Sequence, residues 1–316
     1  MSTDSSRVKA LILTGPTASG KTELLDAVFG RGAFPLPGLV ISADSMQAYR
    51  GMDIGTAKPS PELRSRLPHI LIDIKDPDEQ YTAGEFARLA REACDSAHSR
   101  GLIPIVSGGT GFYIRNLLCG PSGAPPESAD MRLEVAADLR RLGADALRAE
   151  LEAADPASAR RIHPNDLYRL TRAVEILRST GRPPSDFAPP SSPRGDMDFL
   201  VVGVERPKAE LAERIRSRVK SMMEAGLPEE LRRLKAAGFS PSSPGMQAIG
   251  YKEFFQDEGK SIESIAEDIV LHSIQYAKRQ MTFLRALPGI IWIGPDKEAL
   301  LGLCESFFLQ REQAPT

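Results

Sequence analysis

Cysteine is scarce in this chain: Cys94, Cys119 and Cys304 are all it has, far apart and never in a Cys-x-x-Cys pair. That spacing argues against a disulfide framework and predicts a reducing, cytoplasmic setting. Histidine is nearly as rare. His69, His98, His163 and His272 are scattered through 316 residues, none at metal-ligand spacing from a cysteine, so a zinc centre is not expected. Long apolar runs are missing as well: no stretch has the length and character of a bilayer span, and Met1-Ser2-Thr3-Asp4-Ser5-Ser6 has no signal-peptide core. A soluble protein with no membrane partner is the expectation. Neither charge dominates, since 40 basic residues stand against 42 acidic ones, and the net charge of −2 by itself speaks neither for nor against nucleic acid.

What the chain does have is Gly15-Pro16-Thr17-Ala18-Ser19-Gly20-Lys21-Thr22, which fits G-x-x-x-x-G-K-[ST] and follows an apolar run at 8–13. Glycines at both ends let the backbone curl so that successive N–H groups point inward, and a helix starting near Lys21 adds positive potential behind them. Linked phosphates are the expected ligand, with Lys21 as a point charge on the terminal phosphate and the Thr22 hydroxyl on a divalent metal, Mg²⁺. The motif specifies phosphate and leaves the nucleotide open.

Apolar runs bounded by turn residues recur at 9–13, 39–42, 69–74, 102–106, 199–204 and 290–293, each reading as a buried parallel strand. Helical patterns at 22–29 and 82–99 lie between the first four, giving a βαβ array. Prolines at 121–126 break that rhythm. Residues 128–180 are helical in pattern, with Asn165 a candidate cap and Gly181 a stop, and the Pro- and Ser-rich 183–193 reads as a linker. The fold expected is α/β: a P-loop-type parallel sheet core from 1–121 and 198–316, an all-helical insertion at 122–197, and a helical C-terminal region. In that region Pro207 opens a helix closed by Gly226, Pro228 a second closed by Gly238, and Ser261 a long one to about Leu287.

Ligands of open α/β sheets collect at the carboxyl ends of strands. The second strand ends in Ser42-Ala43-Asp44-Ser45-Met46-Gln47, where Asp44 has open readings as metal ligand, general base, ribose contact or helix cap. The fourth ends in Ser107-Gly108-Gly109-Thr110-Gly111, where glycines permit close backbone approach and Thr110 offers a hydroxyl. The run at 69–74 contains Leu71-Ile72-Asp73, a weak candidate for a Walker B strand that places Asp73 on the metal. Three basic stretches stand out: 160–182 with six arginines, 206–220 with six basic residues, and 278–285 with three and no acid. Solvated helix faces are the ordinary fate of such stretches. Separate basic faces on an insertion and a C-terminal region suit a folded RNA, with Tyr168, Tyr251, Tyr276 and Phe283 nearby for stacking or, more commonly, for core packing.

Taken in order, the phosphate loop, Asp44-Ser45-Met46-Gln47 with Tyr49, Met52-Asp53-Ile54-Gly55-Thr56-Ala57-Lys58-Pro59, Gly108-Gly109-Thr110-Gly111-Phe112-Tyr113, His163-Pro164-Asn165-Asp166, Ala248-Ile249-Gly250-Tyr251 and Lys278-Arg279-Gln280 resemble the tRNA dimethylallyltransferases, also called tRNA isopentenyltransferases. Phe112 stands where that family usually has Leu. The resemblance implies transfer of a dimethylallyl group from dimethylallyl diphosphate to N6 of the adenosine just 3′ of a tRNA anticodon. It implies a diphosphate site on Gly15, Pro16, Thr17, Ala18, Ser19, Gly20, Lys21 and Thr22, and catalytic roles for Asp44 as base, for Thr17 and Arg214 near the diphosphate, and for Thr110 in the base channel. It also implies anticodon stem-loop contacts at Asp44, Ser45, Met46, Gln47, Thr110 and Arg132, and at Tyr168, Arg169, Leu170, Thr171 and Arg172. Further contacts are implied at Met246, Gln247, Ala248, Ile249, Gly250, Tyr251 and Lys252, and at Lys278, Arg279, Gln280, Met281, Thr282, Phe283, Leu284 and Arg285.

The leading rival is a P-loop kinase moving the γ-phosphoryl of ATP to a small acceptor, with Asp44 as base and Asp73 on the metal. It leaves the insertion and the basic helices unexplained. A nucleotide-switched RNA-binding module and a prenyltransferase acting on free AMP are further alternatives. A monomer is expected.

Overall fold

The structure is a computed structural model describing residues 7–126, 128–256 and 259–309. The chain divides into two compact units, one of 1–118 with 192–316 and one of 119–191.

In the first unit, β1 (Val8–Thr14) leads through the glycine-rich loop into α1 (Lys21–Leu25), which relaxes into a π-helical turn at Asp26–Gly30 rather than running on as one α-helix. Then come β2 (Gly38–Ser42), α2 (Pro61–Arg66), β3 (His69–Ile70), α3 (Ala83–Ser99), β4 (Ile103–Gly108) and α4 (Gly111–Cys119). Thr82 caps α3 by accepting a hydrogen bond from the Glu85 amide at 3.2 Å, satisfying one of the free N–H groups at a helix start.

The second unit is helical: α5 (Ala129–Leu142), α6 (Ala144–Ala154), α7 (Pro156–Arg161) and α8 (Leu167–Thr180) close around Val135, Leu147, Leu151, Leu170 and Val174. The cap of α8 is Asp166, not Asn165: its carboxylate accepts from the Arg169 amide at 3.1 Å. Gly181 ends the helix in the left-handed conformation, as its position predicts.

The first unit resumes with β5 (Met197–Val204), α9 (Lys208–Glu224), α10 (Leu227–Ala236), α11 (Glu253–Gln256), α12 (Ile262–Leu284), β6 (Ile291–Ile293) and α13 (Lys297–Phe308). Gly226 is the break between α9 and α10, with φ at +95°.

Among the described residues the sheet has six strands, all parallel, in the order β3-β2-β4-β1-β5-β6. Leu11, Leu13, Ile105 and Val202 are fully buried within it, as expected for strands covered by helices on both faces. The third strand is a correction. Strand pairing stops at Ile70 because Leu71 and Asp73 turn to φ of +59° and +57°. Asp73 therefore stands on a turn, where Lys58 and Arg64 hold its carboxylate.

A second apolar cluster gathers Met52, Ile215, Leu231, Met246, Tyr251 and Ile269 among α9, α10 and α12. Burying a side chain such as Met246 or Ile269 contributes about 1.5–3 kcal/mol. This cluster fixes the C-terminal helices beside the carboxyl edge of the sheet.

Candidate active site

Register brings the motif-bearing strand ends together. Thr14 pairs with Gly108 on one side and Gly203 on the other, while Ser42 pairs with Ser107, so the segments following β1, β2 and β4 leave the sheet side by side. The contact between them is close enough to demand glycine: a Cβ on Gly108 would lie 2.1 Å from the Ala43 carbonyl oxygen.

The glycine-rich loop is held by the distant C-terminal half of the chain. Gln280 accepts from the Thr17 amide at 2.9 Å, and Arg218 donates to the Thr17 hydroxyl at 3.1 Å. Arg214 donates through Nε to the Ala18 carbonyl at 2.8 Å, and Arg206 does the same to Ser19 at 2.8 Å. Ala18 adopts φ of +62°, a left-handed conformation that costs an alanine free energy, and the Arg214 bond to its carbonyl offsets part of that cost. Lys21 donates through Nζ to the carbonyls of Gly15 and Pro16, both at 2.9 Å.

A cleft of about 450 Å³ opens at this edge, lined among others by Thr17, Lys21, Thr22, Asp44, Arg218, Tyr276 and Arg279. Cations dominate its wall. Burial pushes the Lys21 ammonium down to about 8, and Arg218 adds to that while Asp44 and Glu23 oppose it. Burial likewise pulls the Arg218 guanidinium below the ordinary arginine range; Glu23 opposes the fall and Arg214 reinforces it. Two cations crowded in a desolvated wall are poised for a polyanion, which would relieve their repulsion.

Asp44, following β2, lines the same cleft. Its Oδ1 accepts from the Met46 amide at 3.0 Å, so the carboxylate stabilises a tight turn; no regular helix follows for it to cap. Thr110 follows β4, where its Oγ1 accepts from the Ser45 amide at 3.1 Å and thereby ties the end of β4 to the Asp44 turn. Burial raises the Tyr276 phenol to about 12, with Asp44 pushing the same way and hydrogen bonds from Thr110 and Gln280 opposing. Its hydroxyl keeps its proton at neutral pH.

The segment 246–252 leaves a short 3₁₀ turn at Pro244–Gln247 and from Ala248 to Lys252 forms neither helix nor strand, and packing supplies the reason. The buried Glu230 carboxylate accepts from the amides of Asp53, Ile54 and Gly55 and from the Tyr251 hydroxyl at 2.6 Å. Glu253, also buried, accepts from the Gly250 amide at 2.8 Å and meets His272 Nδ1 at 2.7 Å. The two carboxylates fold 246–252 over 52–58, and Gln247, Ile249 and Lys252 reach the cleft from it.

Several expected contact residues need correction. Leu170, Met246, Tyr251 and Leu284 are fully buried, so their side chains are core and offer no surface to RNA; Ala248 is buried as well. Gln280 is buried against the phosphate loop. Arg214 and Arg218 turn inward onto the glycine-rich loop, so the basic face they form is engaged by the protein itself. Asp73 is removed from the metal role by its bonds to Lys58 and Arg64.

Other expected residues lie at the surface. Gln247, Lys278, Arg279, Thr282 and Arg285 are exposed, and Met281 and Phe283 half-buried. Ser45, Met46 and Gln47 are half-buried, and Gln47 accepts from the Ser42 hydroxyl at 3.0 Å. In the helical unit Tyr168 is 74% exposed. Arg132 and Arg169 are exposed, Thr171 is half-buried, and Arg172 is engaged by Glu175 and the Pro125 carbonyl.

Arg206 and Arg218 are loop-holding residues that sequence reasoning did not assign. The i, i+4 spacing of Arg214 and Arg218 put them on one face of α9, and that was the available signal. Among the described residues no group of three or more His, Cys, Asp or Glu side chains is arranged to hold a metal. A divalent cation at Thr22 would therefore depend on one hydroxyl and the ligand's own oxygens, which fits Mg²⁺, a hard ion that keeps most of its water.

The sequence profile of the IPP transferases matches residues 47–287. A tRNA dimethylallyltransferase of Geobacter sulfurreducens is 44% identical, with 91% of this chain and 92% of that one covered. The solved tRNA isopentenylpyrophosphate transferase of Bacillus halodurans superposes with a TM-score of 0.68 at 34% identity, covering 96% of both chains. A eukaryotic dimethylallyltransferase, solved acting on tRNA, gives a TM-score of 0.75 at 26% identity, covering 95% of this chain and 76% of that one.

Proposed function

The chain belongs to the IPP transferase family, and from that premise we propose that it transfers the dimethylallyl group of dimethylallyl diphosphate to N6 of the adenosine 3′-adjacent to the anticodon in tRNA, releasing diphosphate. The observation that carries this reading is the electrostatic design of the cleft: desolvated Lys21 and Arg218 on one wall and the Asp44 carboxylate among its lining. The first pair suits a polyanionic leaving group, and the second suits an amine that must lose a proton.

In this account the donor's diphosphate lies on residues 15–22, facing Lys21 and Arg218. As the allylic C–O bond breaks, its electron pair passes to the diphosphate, and fixed, buried cations stabilise that growing charge without reorganising. The adenine amine forms the new N6–C bond. Its lone pair is shared with the ring, so acceptance of its proton by Asp44 is needed, and the Met46 amide and the Thr110–Ser45 bond hold Asp44 for that task. Mg²⁺ bound at the Thr22 hydroxyl would supply further neutralisation of the diphosphate.

The target base must leave its stack at a cost of roughly a few kcal/mol, offset by contacts along the anticodon stem-loop. Exposed Lys278 on α12 and Arg285 just past its end, with Tyr168 and Arg169 on α8, are the surface residues suited to phosphates and bases. The kinase alternative loses support because Asp73, its second metal ligand, is paired with Lys58 and Arg64. Incubation with dimethylallyl diphosphate, unmodified tRNA and Mg²⁺ tests the reading: diphosphate release that requires tRNA and no ATP is expected, and turnover only with ATP would overturn it.

A further inference from the structure

Gln280 stands on α12 two residues from exposed Lys278, yet it is only 7% exposed and turns inward to the glycine-rich loop, at the wall of the cleft. Its amide is used at both ends. Oε1 accepts from the Thr17 amide and Nε2 donates to the Gly109 carbonyl, each at 2.9 Å. The fit depends on glycine, since a Cβ on Gly109 would lie 2.1 Å from Gln280 Nε2 and displace it. Thr17 is thus gripped twice, through its amide by α12 and through its hydroxyl by Arg218 of α9.

We propose that Gln280 is a positioning residue that latches the phosphate loop and the end of β4 to α12, so that one side chain sets the diphosphate site against the helix that carries the exposed cations. This rests on the function proposed above. Two consequences follow from the geometry. The Thr17 amide is already engaged by Gln280, so the phosphate cradle is built from the other loop amides and the cations. Movement of α12 is also transmitted to Thr17 and Gly109 together, because a buried amide that lost either partner would bear an unsatisfied polar group.

The test uses the full-length protein with Gln280→Met, which keeps length and apolar packing but makes neither bond, and Gln280→Ala, which loses both. Inorganic diphosphate binding is read by calorimetry, donor KM and kcat by tRNA-dependent turnover, and tRNA affinity by filter binding. For both variants the latch predicts diphosphate affinity down about tenfold, donor kcat/KM down at least as far, and tRNA affinity within about twofold of the parent. A Gln280→Met variant matching the parent in diphosphate affinity would reduce Gln280 to packing. Loss of tRNA affinity with diphosphate affinity unchanged would make it an RNA contact, and either result overturns the latch. Should the helix variants fail to fold, Gly109→Ala disturbs the same bond from the other side and must reproduce the loss of diphosphate affinity. A parent protein that binds diphosphate but never modifies tRNA would overturn the proposed function instead, while the calorimetric comparison would still judge the latch.

Discussion

The guanidinium of Arg218 donates to the hydroxyl of Thr17 at 3.1 Å across 201 residues of sequence. That bond joins a helix face which reads as one basic stretch among three to the loop that reads as the phosphate site, and it makes the two a single structure. Arg214 and Arg206 extend the same arrangement to Ala18 and Ser19.

Arg218→Ala should therefore raise the KM for dimethylallyl diphosphate by about tenfold or more and leave tRNA affinity within about twofold, because a charged hydrogen bond of this kind contributes about 1.5–3 kcal/mol. Arg218→Lys should recover only part of the loss, since an ammonium lacks the planar donor fork. Steady-state kinetics with each substrate varied in turn decides it; a variant whose tRNA affinity falls while donor KM holds would return Arg218 to the RNA surface.

Asp44→Asn keeps the shape of the turn after β2 and removes the proton acceptor. The expected outcome is a fall in kcat of about 10²–10⁴-fold with donor affinity nearly unchanged. Single-turnover measurement with saturating tRNA reads the chemical step, and a normal rate there would leave Asp44 as a turn residue only.

Lys21, lowered to about 8 by burial, gives a pH signature. Below that value the free protein already carries the charge; above it the ammonium has lost its proton and must regain it to bind a polyanion. Donor affinity should decline as pH rises through about 8. Lys21→Arg stays charged throughout and should lack that decline, whatever its absolute affinity, and because the donor's own titration is common to both proteins the difference between the two profiles isolates Lys21. Identical profiles would contradict the assignment.

Much of the scaffold was legible in the residue order. Apolar runs bounded by glycine and proline marked the strands, and the loop glycines with Lys21 marked the turn that leads from β1 into α1 at the cleft, because these signals act within a few residues of themselves. The inward turn of Arg218 and Gln280 was not legible: the face a charged helix buries is set by the elements packed on it, here the loop that begins at Gly15. The same reason explains Leu170, Met246, Tyr251 and Leu284, which lie in segments rich in surface residues but fill the core. Asp73 misled because a short apolar run looks like a strand, whereas the positive φ of Leu71 and Asp73 ends pairing at Ile70.

The Glu230 carboxylate, almost fully buried, holds three backbone amides and the Tyr251 hydroxyl. Glu230→Ala should destabilise the protein by about 3–5 kcal/mol, as expected when one partner of a buried polar network is removed, and Tyr251→Phe by about 1 kcal/mol. Thermal or denaturant unfolding measures both; an unchanged midpoint for Glu230→Ala would show that 52–58 and 246–252 hold together without it.

The central claim is that the phosphate loop holds a prenyl diphosphate whose organic half goes to a tRNA adenine. The most direct measurement follows unmodified tRNA incubated with dimethylallyl diphosphate and Mg²⁺ but no ATP, counting released diphosphate while mass spectrometry of the digested tRNA locates any added group. The account predicts one diphosphate released for each dimethylallyl group found on N6 of the adenosine 3′-adjacent to the anticodon. Unmodified tRNA under these conditions, together with ADP formation from ATP and a small phosphorylated acceptor, would contradict it.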